Sequence, residues 1–155
     1  MPRRVASVTL DPIDKRIIAE LQRDGRMSYA DLAPLVGLSP AATRQRVQRL
    51  TDSGVLQVVA VTDPLALGYH AMAMLCITVE RDAQAVADAV GALPSVIYAV
   101  LSAGGYDVLA EVLCESNDEL FNVLNNEVRT IPGVREAQAF PYFRIHTHRF
   151  SWGVR

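Results

Sequence analysis

The first third of the chain carries three short stretches of helical periodicity separated by turns. In the first stretch, Ile13, Ile17 and Leu21 recur every fourth residue, which places them on one side of an amphipathic helix. The Asp-Pro pair at 11–12 is a typical cap and first position for this helix. Gly25 is predicted to end it in the left-handed conformation.

The second and third helices are predicted to follow each other through a tight turn. Ser28 caps the second helix and Gly37 ends it, and Ser39-Pro40 repeats the cap-then-proline start for the third. Val47 lies at the centre of the buried face of the third helix. This spacing is typical of a helix-turn-helix, whose second helix enters the major groove of DNA.

The face opposite Val47 carries side chains suited to DNA. Small, amide and guanidinium groups approach base edges and phosphates, and arginine pairs bidentately with guanine as glutamine does with adenine. A solvated helix face has the same composition, so it is the three-helix spacing that favours DNA binding. The candidate DNA-binding residues are Ser39, Pro40, Ala41, Arg44, Gln45, Gln48 and Arg49.

A change of pattern after this motif predicts two domains. Residues 55–61 are apolar and mostly β-branched, which predicts a strand, either a wing or a strand leading out of the domain. Residues 62–68 contain Pro and Gly without a strong period and are predicted to be a linker. We therefore expect a helix-turn-helix domain at 1–61 and a second domain at 69–155.

The second domain alternates strand and helix patterns in the order βαββαβ, the ferredoxin-like arrangement of an α+β fold. The predicted strands are 71–80, 96–101, 106–114 and a last one from Val134 through Tyr142, with a possible extension to Phe150; the predicted helices are 82–93 and from Ser116 or Asn117 to about Ile131. Both helices lie on one face of such a sheet and leave the other bare. An uncovered apolar face needs a partner, so we expect this domain to self-associate.

The loop 102–107, SAGGYD, is the candidate ligand site of the second domain. Paired glycines let backbone N–H groups approach a ligand, and Asp107 can accept from an ammonium group. The alternative is a plain glycine-rich hairpin turn. The candidate effector-binding residues are Ser102, Gly104, Gly105, Tyr106 and Asp107.

Charge divides unevenly between the two parts. Residues 1–61 contain nine Lys or Arg and six Asp or Glu, whereas residues 62–155 contain six and eleven. The excess of positive charge in the first part favours contact with a polyanion there. Cys76 and Cys114 lie in apolar runs and are predicted to be buried free thiols rather than a disulfide or metal pair, as expected in a reducing cytoplasm.

Membrane and metal chemistry find little support in the sequence. No apolar run approaches the roughly 18 residues of a membrane span, and the N-terminus lacks the apolar region of a secretory signal. His146 and His148 form a His-x-His pair that can hold a metal, but no Cys, Asp or Glu lies nearby in sequence. We expect surface histidines, and no metal or cofactor.

The chain resembles the Lrp/AsnC family, the leucine-responsive and feast/famine transcription regulators. The matching stretches are LDPIDKRIIAELQRDGR (10–26), LAPLVGLSPAATRQRVQRLTDSGVL (32–56), the LGY near the linker, GGYDVLAEV (104–112) and IPGV (131–134). The resemblance implies an N-terminal winged or extended helix-turn-helix and a C-terminal ligand-sensing domain. It also implies dimers formed through the C-terminal sheets, often assembled into octamers.

The same resemblance implies an amino acid or related metabolite as effector, bound at subunit interfaces near the glycine-aspartate hairpin. By the match, Gly104, Tyr106 and Asp107 are effector contacts, while Gly105 stands where many members carry an acidic residue. The expected partners are double-stranded DNA, a small-molecule effector and further copies of the chain, and the expected location is the cytoplasm.

The sequence therefore predicts a sequence-specific transcription regulator and not an enzyme. An alternative is a siroheme-decarboxylase-like enzyme, because proteins resembling the family include such enzymes and Arg144, His146, His148 and Arg149 could meet propionate groups. No nucleophile, acid–base pair or metal cluster is evident for that reaction. A third hypothesis is a sensor module that acts only through hetero-assembly and binds no specific DNA.

Overall fold

The computed structural model describes residues 9–147, so His148, Arg149 and the predicted extension of the last strand to Phe150 lie outside the described residues. The chain forms two compact units that divide between Val61 and Thr62. The first holds three helices and the second holds a four-stranded sheet with two helices.

The first unit consists of α1 (Pro12–Arg23), α2 (Tyr29–Val36) and α3 (Pro40–Asp52). Each helix begins at a predicted cap, because the side chains of Asp11, Ser28 and Ser39 accept hydrogen bonds from backbone N–H groups three residues on. The helices pack through the fully buried side chains of Ile17, Leu32 and Leu50. The predicted apolar stripe of α1 is confirmed, because Ile17 and Leu21 are buried and Ile13 packs against them.

The turn between α2 and α3 has the tight geometry of a helix-turn-helix. Gly37 ends α2 with φ +72°, in the left-handed region where glycine has no steric penalty. Leu38 donates its N–H to the Ala33 carbonyl at 3.0 Å and packs against the core. Val47 is buried on the inner face of α3, as the sequence predicts, and Thr43 is buried beside it.

Gly25 does not end α1 as predicted. The helix ends at Arg23, and Asp24 follows in an extended conformation at φ −142° while Gly25 has no positive φ. A Cβ atom at Gly25 would lie 3.4 Å from Val58 Cγ1, so this glycine leaves room for a packed neighbour rather than supplying a left-handed cap.

Residues 55–61 form no strand, so that prediction is wrong. Leu56 is buried and donates its N–H to the Leu50 carbonyl at 3.1 Å, but Val58, Val59 and Val61 are exposed. A strand requires a neighbouring strand for its hydrogen bonds, and among residues 9–147 no strand pairs with this segment. β-branched composition alone does not supply that neighbour.

The second unit begins with a short turn and continues as a βαββαβ domain. Leu65–Leu67 form one 3-10 turn, which Gly68 ends at φ +91°. The strands are β1 (Ala71–Val79), β2 (Val96–Leu101), β3 (Val108–Cys114) and β4 (Val134–Pro141); the helices are α4 (Ala83–Gly91) and α5 (Asn117–Asn122), which continues as a π-helical turn over Val123–Val128.

The sheet order is β2-β3-β1-β4, with every neighbouring pair antiparallel. This order confirms the predicted ferredoxin-like α+β arrangement. Alternate residues of β3, from Val108 to Cys114, are fully buried, and they pack in one core with Val86 and Val90 of α4 and Val128 of the π-helical turn. Both helices therefore cover the same face of the sheet.

The other face of the sheet carries many apolar side chains that no helix within residues 9–147 covers. Tyr98 on β2 and Phe140 on β4 are about half exposed, at 54% and 49%. Between them lie side chains that are only partly covered: Met72, Met74, Leu109 and Leu113. We call the set Met72, Met74, Tyr98, Leu109, Leu113 and Phe140 the open sheet face.

Candidate nucleic-acid interface and ligand loop

The outer face of α3 brings together most of the predicted DNA-binding residues. One shallow depression is lined by Asp52 and by five of the predicted residues: Ala41, Arg44, Gln45, Gln48 and Arg49. Each of these five side chains is exposed. Ser39 and Pro40 lie at the exposed start of the helix, where the Ser39 hydroxyl accepts from the Ala42 N–H at 3.2 Å and so serves as the cap.

The polar side chains of this face differ in whether they already have a partner. Gln48 donates to an Asp52 carboxylate oxygen at 2.8 Å, and Arg49 Nη2 donates to Asp14 Oδ2 at 2.6 Å. Arg44 and Gln45 make no side-chain hydrogen bond or ion pair within the described residues. They are therefore the two polar side chains of this depression that no other side chain among residues 9–147 holds in place.

An ion-pair network below this face ties α3 to the start of α1. The Asp14 side chain is only 1% exposed and accepts from Arg46 Nη1 at 2.9 Å as well as from Arg49. Arg46 Nη1 also pairs with Asp11 Oδ2 at 2.5 Å. The hydrogen bond from Arg46 is the main cause that lowers the pKa of Asp11 below its ordinary value.

Sequence reasoning missed this network. It assigned Asp11 to the cap of α1, a role that Asp11 performs. Asp11 and Asp14 each accept a hydrogen bond from the other's backbone N–H. The available signal was the i, i+3 spacing of Arg46 and Arg49, which makes them neighbours on a helix surface. The spacing does not reveal that a carboxylate on another helix reaches both.

The candidate ligand loop lies at one end of the sheet, between β2 and β3. Ser102, Gly104 and Gly105 are exposed. A Cβ atom at Gly105 would meet no atom within 4 Å, and neither glycine has a positive φ. Open space, rather than backbone conformation, is what these two glycines provide.

Tyr106 and Asp107 are held by contacts within the domain. Asp107 Oδ2 accepts from the Val79 N–H at 2.7 Å, and the Tyr106 hydroxyl donates to Gln138 Oε1 at 3.1 Å. Asp107 Oδ1 accepts no hydrogen bond from the described residues. The carboxylate therefore fixes the end of β1 with one oxygen and presents the other.

A buried hydroxyl near this loop has no partner. Thr78 is 7% exposed, and its Oγ1 makes no hydrogen bond among the described residues. Thr78 on β1 lies opposite Glu136 on β4 in the sheet register. It precedes Val79, whose N–H donates to Asp107. Buried polar groups are usually satisfied, so this hydroxyl is an exception within the sheet. The sequence pattern did not single out Thr78.

A second depression in this unit involves the segment proposed for tetrapyrrole binding. Arg144 contributes to it, next to Asp63 and His70, and its other lining residues are Pro64, Leu65, Met72, Tyr142, Phe143 and Ile145. Within residues 9–147, no group of three or more His, Cys, Asp or Glu side chains is arranged to hold a metal. No helix in the described part of the chain is long and apolar enough to cross a membrane.

Two family models match the two units. The AsnC-type helix-turn-helix domain matches residues 10–51, and a C-terminal dimeric alpha+beta barrel domain of the AsnC group matches residues 69–155. The HTH-type transcriptional regulator FL11 of Pyrococcus furiosus is 32% identical over 139 residues, which cover 88% of this chain and 91% of that protein. The regulatory protein AsnC of Escherichia coli is 27% identical over 132 residues, covering 83% and 87%.

Solved structures agree with this match over nearly the full length. The leucine response regulatory protein LrpA of Mycobacterium tuberculosis has a TM-score of 0.83 at 28% identity, covering 92% of this chain and 98% of that one. The transcriptional regulator NMB0573 of Neisseria meningitidis, solved as a complex with L-Met, has a TM-score of 0.80 at 25% identity, covering 92% and 96%.

The fold and the exposed face of α3 define a helix-turn-helix DNA-binding protein that also carries an α+β domain. The family models and relatives make this more specific: the chain belongs to the Lrp/AsnC family of transcription regulators. The resemblance that the sequence motifs indicate is thereby confirmed. The curated relatives are named as regulators, in agreement with a role in transcription rather than catalysis.

Proposed function

We propose that this chain is a sequence-specific transcription regulator that reads DNA with the outer face of α3. The observation that carries the proposal is the pair Arg44 and Gln45, which are exposed side by side on the helix-turn-helix and have no partner within the described residues. Arginine supplies bidentate contacts to guanine or a charge to phosphate, and glutamine supplies contacts to adenine. The start of a helix attracts phosphate, so the sugar-phosphate backbone of the DNA would lie nearest Ser39, Pro40 and Ala41.

The test measures binding of the full chain to DNA. We expect wild-type protein to enrich a defined sequence from a random duplex library, and Arg44→Ala to weaken binding to it at least about tenfold. Arg23→Ala is the matched control, because Arg23 is an exposed arginine of the same unit that pairs with Glu20 on α1. Equal losses for the two variants would mean that net charge, and not the α3 face, governs binding.

We further propose that two copies of the chain associate through the open sheet face. Its apolar side chains lie on all four strands around the side chain of Glu111, and apolar patches of this kind on soluble proteins mark contact sites. A dimer also suits a helix-turn-helix, because one recognition helix reads only a half-site. Larger assemblies such as octamers, which the family resemblance implies, would be built from this dimer.

Sedimentation of the purified chain tests the dimer. We expect Leu113→Arg, which places a positive charge on a middle strand of the open sheet face, to shift the protein to monomer. Phe121→Arg is the control, because Phe121 is 67% exposed on α5, away from that face. A dimer that survives Leu113→Arg, or one that Phe121→Arg disrupts equally, would contradict the assignment.

The effector proposed for this regulator is an amino acid or a related small metabolite, bound near the loop 102–107. Asp107 Oδ1, which accepts no hydrogen bond from residues 9–147, suits an ammonium group. A similar regulator was solved with L-Met, which supports this class of ligand. Ser102, Gly104, Gly105 and Tyr106 would complete the site, with contacts from a second copy of the chain.

A thermal-shift screen of the twenty amino acids tests the effector. We expect at least one to raise the melting temperature of wild-type protein, and Asp107→Asn to remove that shift while its amide oxygen still accepts from Val79. Asp118→Asn, at an exposed position on α5, should keep the shift. If Asp107→Asn responds as wild type does, Asp107 is not part of the site.

A further inference from the structure

The carboxylate of Asp14 lies between two arginines of the recognition helix. Its Oδ1 accepts from Arg46 Nη1 at 2.9 Å and its Oδ2 from Arg49 Nη2 at 2.6 Å. Asp14 belongs to α1 and its side chain is 1% exposed, so it cannot contact DNA itself. Any influence it has on recognition must pass through the two arginines.

The two arginines are held differently. Arg46 is 29% exposed and has a second partner in Asp11, so its guanidinium is fixed between α1 and α3. Arg49 is 51% exposed, and Asp14 is the one partner of its side chain within the described residues. Arg49 also lines the shallow depression that Arg44 and Gln45 line.

A guanidinium that is held on one side is better prepared to bind on the other. The group is planar and carries five N–H donors in a fixed arrangement, so one hydrogen bond to a carboxylate limits rotation of the whole plane. Less side-chain freedom is then lost when two of the other donors meet the O6 and N7 atoms of guanine. Lysine cannot be oriented in this way, because its ammonium group is a point charge on a flexible stem.

We propose that Asp14 is a positioning residue for DNA recognition, which orients the Arg49 guanidinium toward a guanine edge from outside the recognition helix. This inference rests on the proposed role of α3 as the reading helix. It assigns three separate tasks: Arg46 anchors α3 to α1, Arg49 reads a base in an orientation set by Asp14, and Arg44 with Gln45 contact DNA without support from another side chain.

The test compares affinity for the duplex that wild-type protein enriches with affinity for a shuffled duplex of the same composition, at one salt concentration. In Arg49→Lys the charge is kept, and we expect the ratio of the two affinities to fall about tenfold while shuffled-duplex affinity stays within about twofold. Asp14→Asn should lower the ratio similarly, with equal or tighter shuffled-duplex binding because a negative charge is lost.

The double variant Asp14→Asn/Arg49→Lys identifies the route of the effect. If Asp14 acts through Arg49, the double variant should lose no more discrimination than either single variant. Glu20→Gln is the matched control, because it removes a carboxylate that pairs with an arginine on the same helix α1, away from α3. It should leave the ratio unchanged.

Each contrary result has a defined meaning. A purely structural role for Asp14 would lower both affinities in parallel with the folded fraction, and independent losses in the double variant would also overturn the proposal. Should Asp14→Asn not fold, Arg49→Lys decides, since a wild-type ratio in that variant excludes oriented reading by Arg49. If wild-type protein itself does not distinguish the duplexes, it is the proposed function that fails, and the inference with it.

Discussion

Gly133 lies in a turn where both the backbone conformation and the surrounding space exclude a side chain. It has φ +95°, and a Cβ atom built on it would lie 3.1 Å from the Arg81 carbonyl oxygen and 3.2 Å from Val86 Cγ2. Its own carbonyl accepts from the Glu80 N–H at 2.8 Å, just before β4 pairs with β1. We predict that Gly133→Ala strongly destabilises the second unit.

The expected magnitude has two parts. Placing alanine in the left-handed region costs about 1–2 kcal/mol, and forcing a methyl group against a carbonyl and a buried valine costs about 1–3 kcal/mol more. Because about 1 kcal/mol shifts the melting temperature of a domain of this size by roughly 4–8 °C, the unit should melt at least about 8 °C lower.

Two other glycines separate these parts. Gly68 has φ +91°, but a Cβ atom placed there would meet no atom within 4 Å, so Gly68→Ala should cost only the conformational share, about 1–2 kcal/mol. Gly105 has neither constraint. Gly105→Ala should be neutral or stabilising by up to about 1 kcal/mol, because it reduces the freedom of the unfolded chain.

Urea unfolding followed by circular dichroism measures all three variants. We expect the unfolding midpoints to rank Gly105→Ala highest, then Gly68→Ala, then Gly133→Ala, with similar slopes. Equal midpoints for the Gly68 and Gly133 variants would refute the steric argument. Equal midpoints for the Gly68 and Gly105 variants would refute the conformational one.

Buried or paired groups lead to three further predictions. The pKa of Asp11 is lowered in the folded protein, so its contribution to stability is present above the ordinary value of 3.8 and is lost as pH falls through the lower native pKa. Between pH 6 and pH 3 the unfolding midpoint of Asp11→Asn should therefore fall less than that of wild-type protein. Parallel curves of midpoint against pH for the two proteins would contradict this. Burial raises the pKa of the Cys114 thiol to about 11. In a Cys76→Ser background, a thiol reagent at pH 8 should therefore label Cys114 only when the protein unfolds. Stoichiometric labelling of the native protein would contradict this. Leu50 is fully buried between the helices of the first unit. Leu50→Ala should therefore destabilise that unit by about 2–5 kcal/mol and remove DNA binding. Unchanged DNA binding and an unchanged melting temperature would refute its place in the core.

Local signals were sufficient to predict most of the elements. Asp11, Ser28 and Ser39 cap the three helices at the predicted positions, because a cap acts on backbone groups within one turn. The pattern of residues 106–114 predicted a strand, and the structure has β3 at Val108–Cys114. Such features depend on residues close in sequence, so a single chain is enough to reveal them.

The failures share a dependence on contacts distant in sequence. Residues 55–61 have the composition of a strand but no paired strand within residues 9–147, and Gly25 is explained by its contact with Val58 rather than by a cap. The partner of Arg49 lies 35 residues away on another helix. The role predicted for Asp107 as an effector contact stays a prediction, but the sequence did not reveal that one of its oxygens accepts from the Val79 N–H.

The central claim is that α3 chooses the DNA sequence, and exchanging Gln45 for another base-reading side chain tests it most directly. The sequences enriched from a random duplex library by wild-type protein and by Gln45→Arg should differ at one position in each half-site, with guanine gained in the variant. Identical preferred sequences for the two proteins would contradict the account, because a solvated side chain outside the interface has no influence on base choice.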